Sequence, residues 1–314
     1  MKIAIYGAGA VGGYYGGRLA QAGHDVTFIA RGENLRALQA NGLRVDSSIG
    51  DFILNPVKAV SDPAEIGVVD VVIPGVKTWQ LPGILPGMAA LVGPQTVIVT
   101  VQNGVDAHLV IGEALGQEKV IAGITRLFST LVEPGHIVHI GAAAQFMIGE
   151  LDGSITPRVQ AVYDVLNAAP GIQAVLTTDI QRELWAKLVM ITAFGGTGSI
   201  TRAPIGVILS VPETRALIEA SVLEIAAVAA ASGYPLASDV LEKSLAFFKS
   251  QPYLGTSSLQ RDIMAGRRSE LDSLIGTVVR VAREKNVPVP VNSFVYSALL
   301  PTELKARGEL EYAI

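Results

Sequence analysis

The chain has 314 residues, long for one core, so one large or two medium domains are expected; half of its residues are hydrophobic and only 17% are charged. A net charge of −4 leaves no basic footprint for nucleic acid and predicts a small ligand, while a mean hydropathy of +0.43 demands extensive burial, in the protein's own cores or between subunits, as in a homodimer. The absence of cysteine excludes disulfides, thiolate nucleophiles and cysteine metal sites.

No secretory signal precedes the first strand-like run, and a cytoplasmic protein is expected. Residues 2–6 form a short apolar run of strand type. Gly7-Ala8-Gly9-Ala10-Val11-Gly12 follows at once, and residues 11–22 carry apolar side chains at helical spacing without proline. Strand, glycine turn and helix stand in the order that the dinucleotide fingerprint G-x-G-x-x-G requires. Gly7 allows the tight turn, Gly9 lets a pyrophosphate approach the backbone, and Gly12 lets helix and strand pack closely. The helix start then offers unpaired amides and a positive dipole end to phosphates. A glycine-rich turn that binds nothing is the alternative, and its position between strand and helix counts against it.

Residues 26–30 read as the second strand, ending in Ala30-Arg31. NAD sites usually place an acid at that end for the ribose 2′-hydroxyl, whereas NADP sites bring an Arg for the 2′-phosphate, so Arg31 favours NADP. An ordinary surface Arg opening the helix at 33–40 is the other reading. Residues 43–54 predict a hairpin around Ser47-Ser48-Ile49-Gly50, and 70–74 a buried strand followed by Lys77. At that sheet edge Lys77 can reach cofactor or substrate oxygens, although a lone loop Lys is more often solvated. Residues 97–101 form the next strand, ended by Gln102-Asn103-Gly104. Asn103 is equally a turn former and a polar group placed for a nicotinamide ribose or a substrate. The uncharged stretch 78–105 is broken by Pro82, Pro86 and Pro94 with Gly83, Gly87 and Gly93 and is not a membrane span.

Residues 120–150 alternate strand-like segments with Pro134-Gly135 and Gly141. A helix at 157–168 and a last strand at 171–176 close a nucleotide domain of residues 1–177. Residues 178–314 carry only helical patterns, at 179–193, 212–232, 238–249, 269–286 and 292–307, and predict an all-α second domain. Thr178-x-x-Gln181 is a capping box that starts its first helix. There Ile180, Leu184, Leu188 and Ile191 form a stripe with Lys187 inside it, so Lys187 is either held at a buried site or snorkels to solvent. A buried ammonium needs partners, and desolvation makes it readier to release a proton. Gly195-Gly196-Thr197-Gly198 is expected to break this helix or to admit a ligand close to the backbone. Ser258 and Glu270 are most simply an N-cap and a first-turn acid, and Arg267 and Arg268 are solvated. His24, His108, His136 and His139 lack metal spacing, and no metal is expected.

The order and spacing of Gly7-x-Gly9-x-x-Gly12, Ala30-Arg31-Gly32, Val76-Lys77-Thr78, Gln102-Asn103-Gly104, Glu133-Pro134-Gly135, Trp185-x-Lys187-Leu188 and Thr256-Ser257-Ser258 with Asp262 and Glu270 resemble the ketopantoate reductase (2-dehydropantoate 2-reductase) family over nearly the whole chain. The resemblance implies an α/β fold: an N-terminal Rossmann domain and an all-α C-terminal domain like that of 6-phosphogluconate dehydrogenase, with the active site in the cleft between them. It further implies NADPH-dependent reduction of ketopantoate to pantoate, on the route to pantothenate and coenzyme A. Arg31 would read the 2′-phosphate, with Lys77 and Asn103 along the cofactor near the nicotinamide. Lys187 would be the general acid, Ser258 would hold the substrate carboxylate, and Glu270 would touch substrate, Lys187 and cofactor. Where the family presents three Asn to the substrate, this chain has Ile191, Gly195 and Ile205. The alternatives are an opine-type or other hydroxyacid dehydrogenase acting on a different 2-keto acid, and a non-catalytic NADP-binding regulator.

Overall fold

A computed structural model describes residues 1–312. Met1–Gln102 and Asp106–Ile180 form one compact unit; Asn103–Val105 group with the residues from Gln181 onward in a second.

The strands of the first unit are β1 (Lys2–Tyr6), β2 (Asp25–Ile29), β3 (Leu43–Ser47), β4 (Phe52–Leu54), β5 (Lys58–Val60), β6 (Val71–Pro74), β7 (Val97–Val99), β8 (Val120–Arg126), β9 (Ser129–Glu133), β10 (His136–His139), β11 (Ala144–Gly149) and β12 (Ile172–Leu176). Its helices are α1 (Ala10–Gln21), α2 (Gly32–Asn41), α3 (Leu81–Ala89), α4 (Ala107–Leu115) and α5 (Pro157–Ala168). Eight strands form one sheet in the order β12-β11-β8-β7-β6-β1-β2-β5. From β5 to β8 all neighbours are parallel; β11 joins antiparallel to β8, and β12 parallel to β11. The order reverses between β1 and β6, which makes the gap beyond their carboxyl ends the switch point where open α/β sheets bind ligands.

Both faces of this sheet are covered, which explains why its strands read as unbroken apolar runs. Ile3 and Ile5 pack in one core with Tyr14, Tyr15 and Phe28; Ala4 and Tyr6 pack in another with Leu81, Ile84, Met88 and Ile111. A second sheet, β4-β3-β10-β9, was not foreseen beyond the β3–β4 hairpin. It lies on α1, which is thus sandwiched between two sheets. A Cβ on Gly16 would sit 2.6 Å from Ile5 Cγ1 of the large sheet, and one on Gly13 2.4 Å from Ile137 Cδ1 of the small one.

The second unit contains α6 (Ile180–Thr201) from its second residue, α7 (Ile205–Ser210), α8 (Pro212–Ala231), α9 (Val240–Ser250), α10 (Ser258–Met264), α11 (Thr277–Lys285) and α12 (Pro290–Ala306), with a π-helical turn at Asp272–Gly276 leading into α11. Its described residues include no strand, as the sequence predicts. One expectation fails: α6 runs unbroken through Gly195-Gly196-Thr197-Gly198. Other helices occupy the space those glycines leave. A Cβ on Gly198 would lie 2.5 Å from Gln260 Oε1, and one on Gly196 3.0 Å from Ile275 Cδ1. No helix among the described residues is long and apolar enough to cross a membrane, and no cluster of His, Asp and Glu among them suits a metal.

Candidate active site

The fingerprint turn is built from backbone packed on backbone. Gly7 has φ +103° and its amide donates to Ile29 O at 2.9 Å. A Cβ on Gly12 would stand 2.1 Å from Gly7 O, and one on Gly75, just past β6, 2.6 Å from the same oxygen. Gly75 was missed in the sequence, because its need for a bare backbone arises from a partner 68 positions away. Gly9 differs from these three: a Cβ there would meet nothing within 4 Å. Gly9 is the N-cap of α1, which has no side-chain cap and no acid in its first turn, so the helix start faces open space with its dipole uncompensated. These features fit a pyrophosphate laid against the backbone at Ala8, Gly9, Ala10 and Val11.

Arg31 stands at the N-cap of α2, directly beyond β2, and is exposed. Lys77 is half-buried at the end of β6, where its amide donates to Gln80 Oε1 at 2.9 Å. Gln102, which the sequence marks only as part of the Gln102-Asn103-Gly104 motif with no role of its own, is 5% exposed. Its side-chain amide donates to Pro74 O and to Val76 O, and its oxygen accepts from the Val101 amide. This single side chain ties the carboxyl ends of β6 and β7 together. Next to it the turn reading of Asn103-Gly104 holds, with φ +104° at Gly104, and Asn103 Nδ2 donates to Glu270 Oε2 at 3.1 Å. This bond joins two candidate residues 167 positions apart.

In the second unit Lys187 is 8% exposed on α6, among buried Leu184, Trp185, Leu188 and Val189. The stripe of apolar residues therefore placed it correctly on the inner side. Glu270 is 4% exposed and stands just before the π-helical turn. Its neighbour Ser269 is held by the buried carboxylate of Glu303, which accepts from both the amide and the hydroxyl. Arg307 joins Glu303 to Asp272, at 2.9 and 2.5 Å, and Tyr296 donates to Asp272 at 2.6 Å. Burial opposes the charge on Asp272, but the bonds from Tyr296 and Arg307 prevail and hold its pKa below the usual value. Burial and the same bond push the Tyr296 hydroxyl up to about 12.

Ser258 is not the N-cap expected of it. Ser257 caps α10 by accepting from the Gln260 amide at 3.0 Å, and Ser258 is the exposed first helical residue. The start of α10 lies against α6 two turns past Lys187, since a Cβ on Gly195 would be 2.9 Å from Leu259 Cδ2 and 3.3 Å from Ser257 Oγ. Ile191 is half-buried, and Ile205, at the start of α7, is fully buried.

Comparison with known proteins agrees with this architecture. The model described as ketopantoate reductase PanE/ApbA matches residues 3–153, and that of its C-terminal region residues 179–303. The chain belongs to the ketopantoate reductase family. A 2-dehydropantoate 2-reductase of Mesorhizobium japonicum is 32% identical, over 92% of this chain and 94% of the relative. The crystal structure of a PanE/ApbA family ketopantoate reductase from Ralstonia eutropha has a TM-score of 0.90 at 31% identity, covering 98% of this chain and all of that one. D-Mandelate dehydrogenase, solved with NADH and anilino(oxo)acetate, matches with a TM-score of 0.88 but only 23% identity, a likeness of fold. This ketopantoate reductase family member is therefore an oxidoreductase of the 2-dehydropantoate 2-reductase kind.

Proposed function

We propose that the protein reduces a 2-keto acid to the 2-hydroxy acid with NADPH, and that ketopantoate, reduced to pantoate in pantothenate and coenzyme A biosynthesis, is the first substrate to test. The observation that carries this reading is the burial of Lys187 on α6, together with the open glycine turn and Arg31. A bound dihydronicotinamide supplies the hydride that adds to C2. The Lys187 ammonium holds a proton at the carbonyl oxygen, stabilises the negative charge growing there, and delivers the proton as the alkoxide forms. Glu270, fixed by Asn103 and by the Ser269–Glu303 bonds, orients the substrate. Ser258 binds its carboxylate, and Arg31 and Lys77 bind the dinucleotide. The proposed site divides residues 1–177 for the dinucleotide from 178–314 for the substrate.

A different 2-keto acid is favoured by one set of contacts. Gly195 carries no side chain and Ile205 is buried and apolar, so neither position offers the polar groups that would recognise substrate hydroxyls. Hydrogen-bonding sites discriminate by orders of magnitude, and their absence suits a less hydroxylated acid. The deciding experiment is a panel of 2-keto acids, with and without amines, assayed with NADPH and NADH. Lys187→Ala should lower kcat by about 10²- to 10⁴-fold while NADPH still binds. Undiminished turnover would remove Lys187 from the reaction, and NADPH binding with no oxidation by any keto acid would leave a regulator.

A further inference from the structure

The Glu133-Pro134-Gly135 turn between β9 and β10 has no part in the reading above, yet it is bonded to the phosphate turn through one side chain. Asn34, in the first turn of α2, donates from Nδ2 to Ala8 O at 2.9 Å and accepts at Oδ1 from the Gly135 amide at 2.8 Å. A carbonyl only accepts and an amide N–H only donates, so the side chain fits in one orientation and uses both ends at once. Gly135 is itself fixed from the far side: its carbonyl accepts from the Arg44 amide at 2.8 Å, and with φ +75° it approaches α2 closely, a Cβ there lying 3.4 Å from Ala37 Cβ. A continuous path therefore runs from the second sheet through Gly135 and Asn34 to Ala8, in the middle of the fingerprint. Asn34 also stands three residues after Arg31, on the same helix start.

From this we infer that Asn34 is a positioning residue that sets the spacing between the phosphate turn at Gly7–Gly12 and the guanidinium of Arg31, and that the second sheet is the anchor for that spacing. The inference rests on the proposal that a dinucleotide binds there. A ligand with phosphates for both places gains from a preset distance, because no ordering of the two loops remains to be done on binding. A ligand that reaches only Arg31 gains nothing from it.

The test is a titration of the full-length protein and its Asn34→Ala and Asn34→Asp variants with NADPH, followed by fluorescence, and with adenosine 2′-phosphate as the probe that reaches Arg31 alone. Asn34→Ala should weaken NADPH by about 10-fold and leave adenosine 2′-phosphate within about twofold. With NADPH saturating, kcat and the KM for the keto acid should stay as in the wild type. Asn34→Asp keeps the shape and an acceptor for Gly135 but has no N–H for Ala8, and should bind NADPH as poorly as Ala. It carries the test if Asn34→Ala does not fold. Wild-type affinity for NADPH in either variant, or an equal loss for both ligands, would overturn the inference. Failure of the wild type to bind NADPH or NADH would instead overturn the dinucleotide reading and the clamp with it.

Discussion

A guanidinium and a carboxylate at the end of β2 select opposite ligands, since one attracts a 2′-phosphate and the other accepts from a 2′-hydroxyl while repelling phosphate. Arg31 is exposed there, at a helix start with no side-chain cap. Arg31→Ala should therefore weaken NADPH by about 1.5–3 kcal/mol, roughly 10- to 150-fold in Kd, and leave NADH nearly unchanged. An equal loss for both dinucleotides would show that Arg31 does not read the 2′ position. At this scale the sequence disclosed what is local or periodic: the packed backbone at Gly7 and Gly12 by their spacing between strand and helix, the burial of Lys187 by its place in an apolar stripe. It concealed the residues whose role is defined by a distant partner. Gly75 matters because Gly7 O lies against it, Gln102 because Pro74 and Val76 present carbonyls to it, and Asn34 because Gly135 lies 101 positions on. Two adjacent serines fit the cap pattern equally, and only the backbone at Ser257 decides between them and Ser258.

Among elements, α6 shows where local propensity misleads. Three glycines in four residues each cost about 1 kcal/mol against Ala in a helix interior, which makes a break the natural expectation. The helix persists because α10 and the segment leading into α11 press against the bare backbone. A substitution separates the two effects. Gly198→Ala restores propensity but sets a methyl 2.5 Å from Gln260 Oε1, and Gln260 is fully buried with its amide nitrogen donating to Ala203 O. Overpacking should prevail, lowering stability by about 1–2 kcal/mol in urea unfolding. A gain in stability would mean that the neighbouring helix yields freely. Helix α3 was hidden for the converse reason: Pro82, Gly83, Pro86 and Gly87 disguise it, while buried Leu81, Ile84 and Met88 hold it through one face. The second sheet was illegible beyond its hairpin because β3 pairs with β10, about ninety residues later, and a long-range parallel pairing leaves no local signature.

Over the whole molecule, titratable groups are divided unequally between the two units. All four histidines, His24, His108, His136 and His139, belong to the first, and the second has none. Burial lowers the pKa of His108 from 6.5 to about 4, and it also lowers those of His139 and His24. The unfolded chain takes a proton at His108 from about pH 6.5 downward, and the folded one only near 4. Between those values the unfolded state binds more protons, so stability is full above 6.5 and falls as the pH drops through the window, by about 2 kcal/mol at pH 5 for His108 alone. In the second unit Asp272 has a lowered pKa, so its contribution is complete above 3.8 and is lost only at lower pH. Mild acid should therefore weaken the first unit selectively. The two tryptophans report on the units separately, Trp79 on the first and Trp185 on the second, so Trp185→Phe and Trp79→Phe variants isolate each signal. From pH 7 to 5 the urea midpoint read by Trp79 should fall, and His108→Leu should remove most of that fall, because a leucine has no proton to gain on unfolding. A Trp79 midpoint that does not move, or one that moves equally with Leu at position 108, would place the acid sensitivity elsewhere in the molecule.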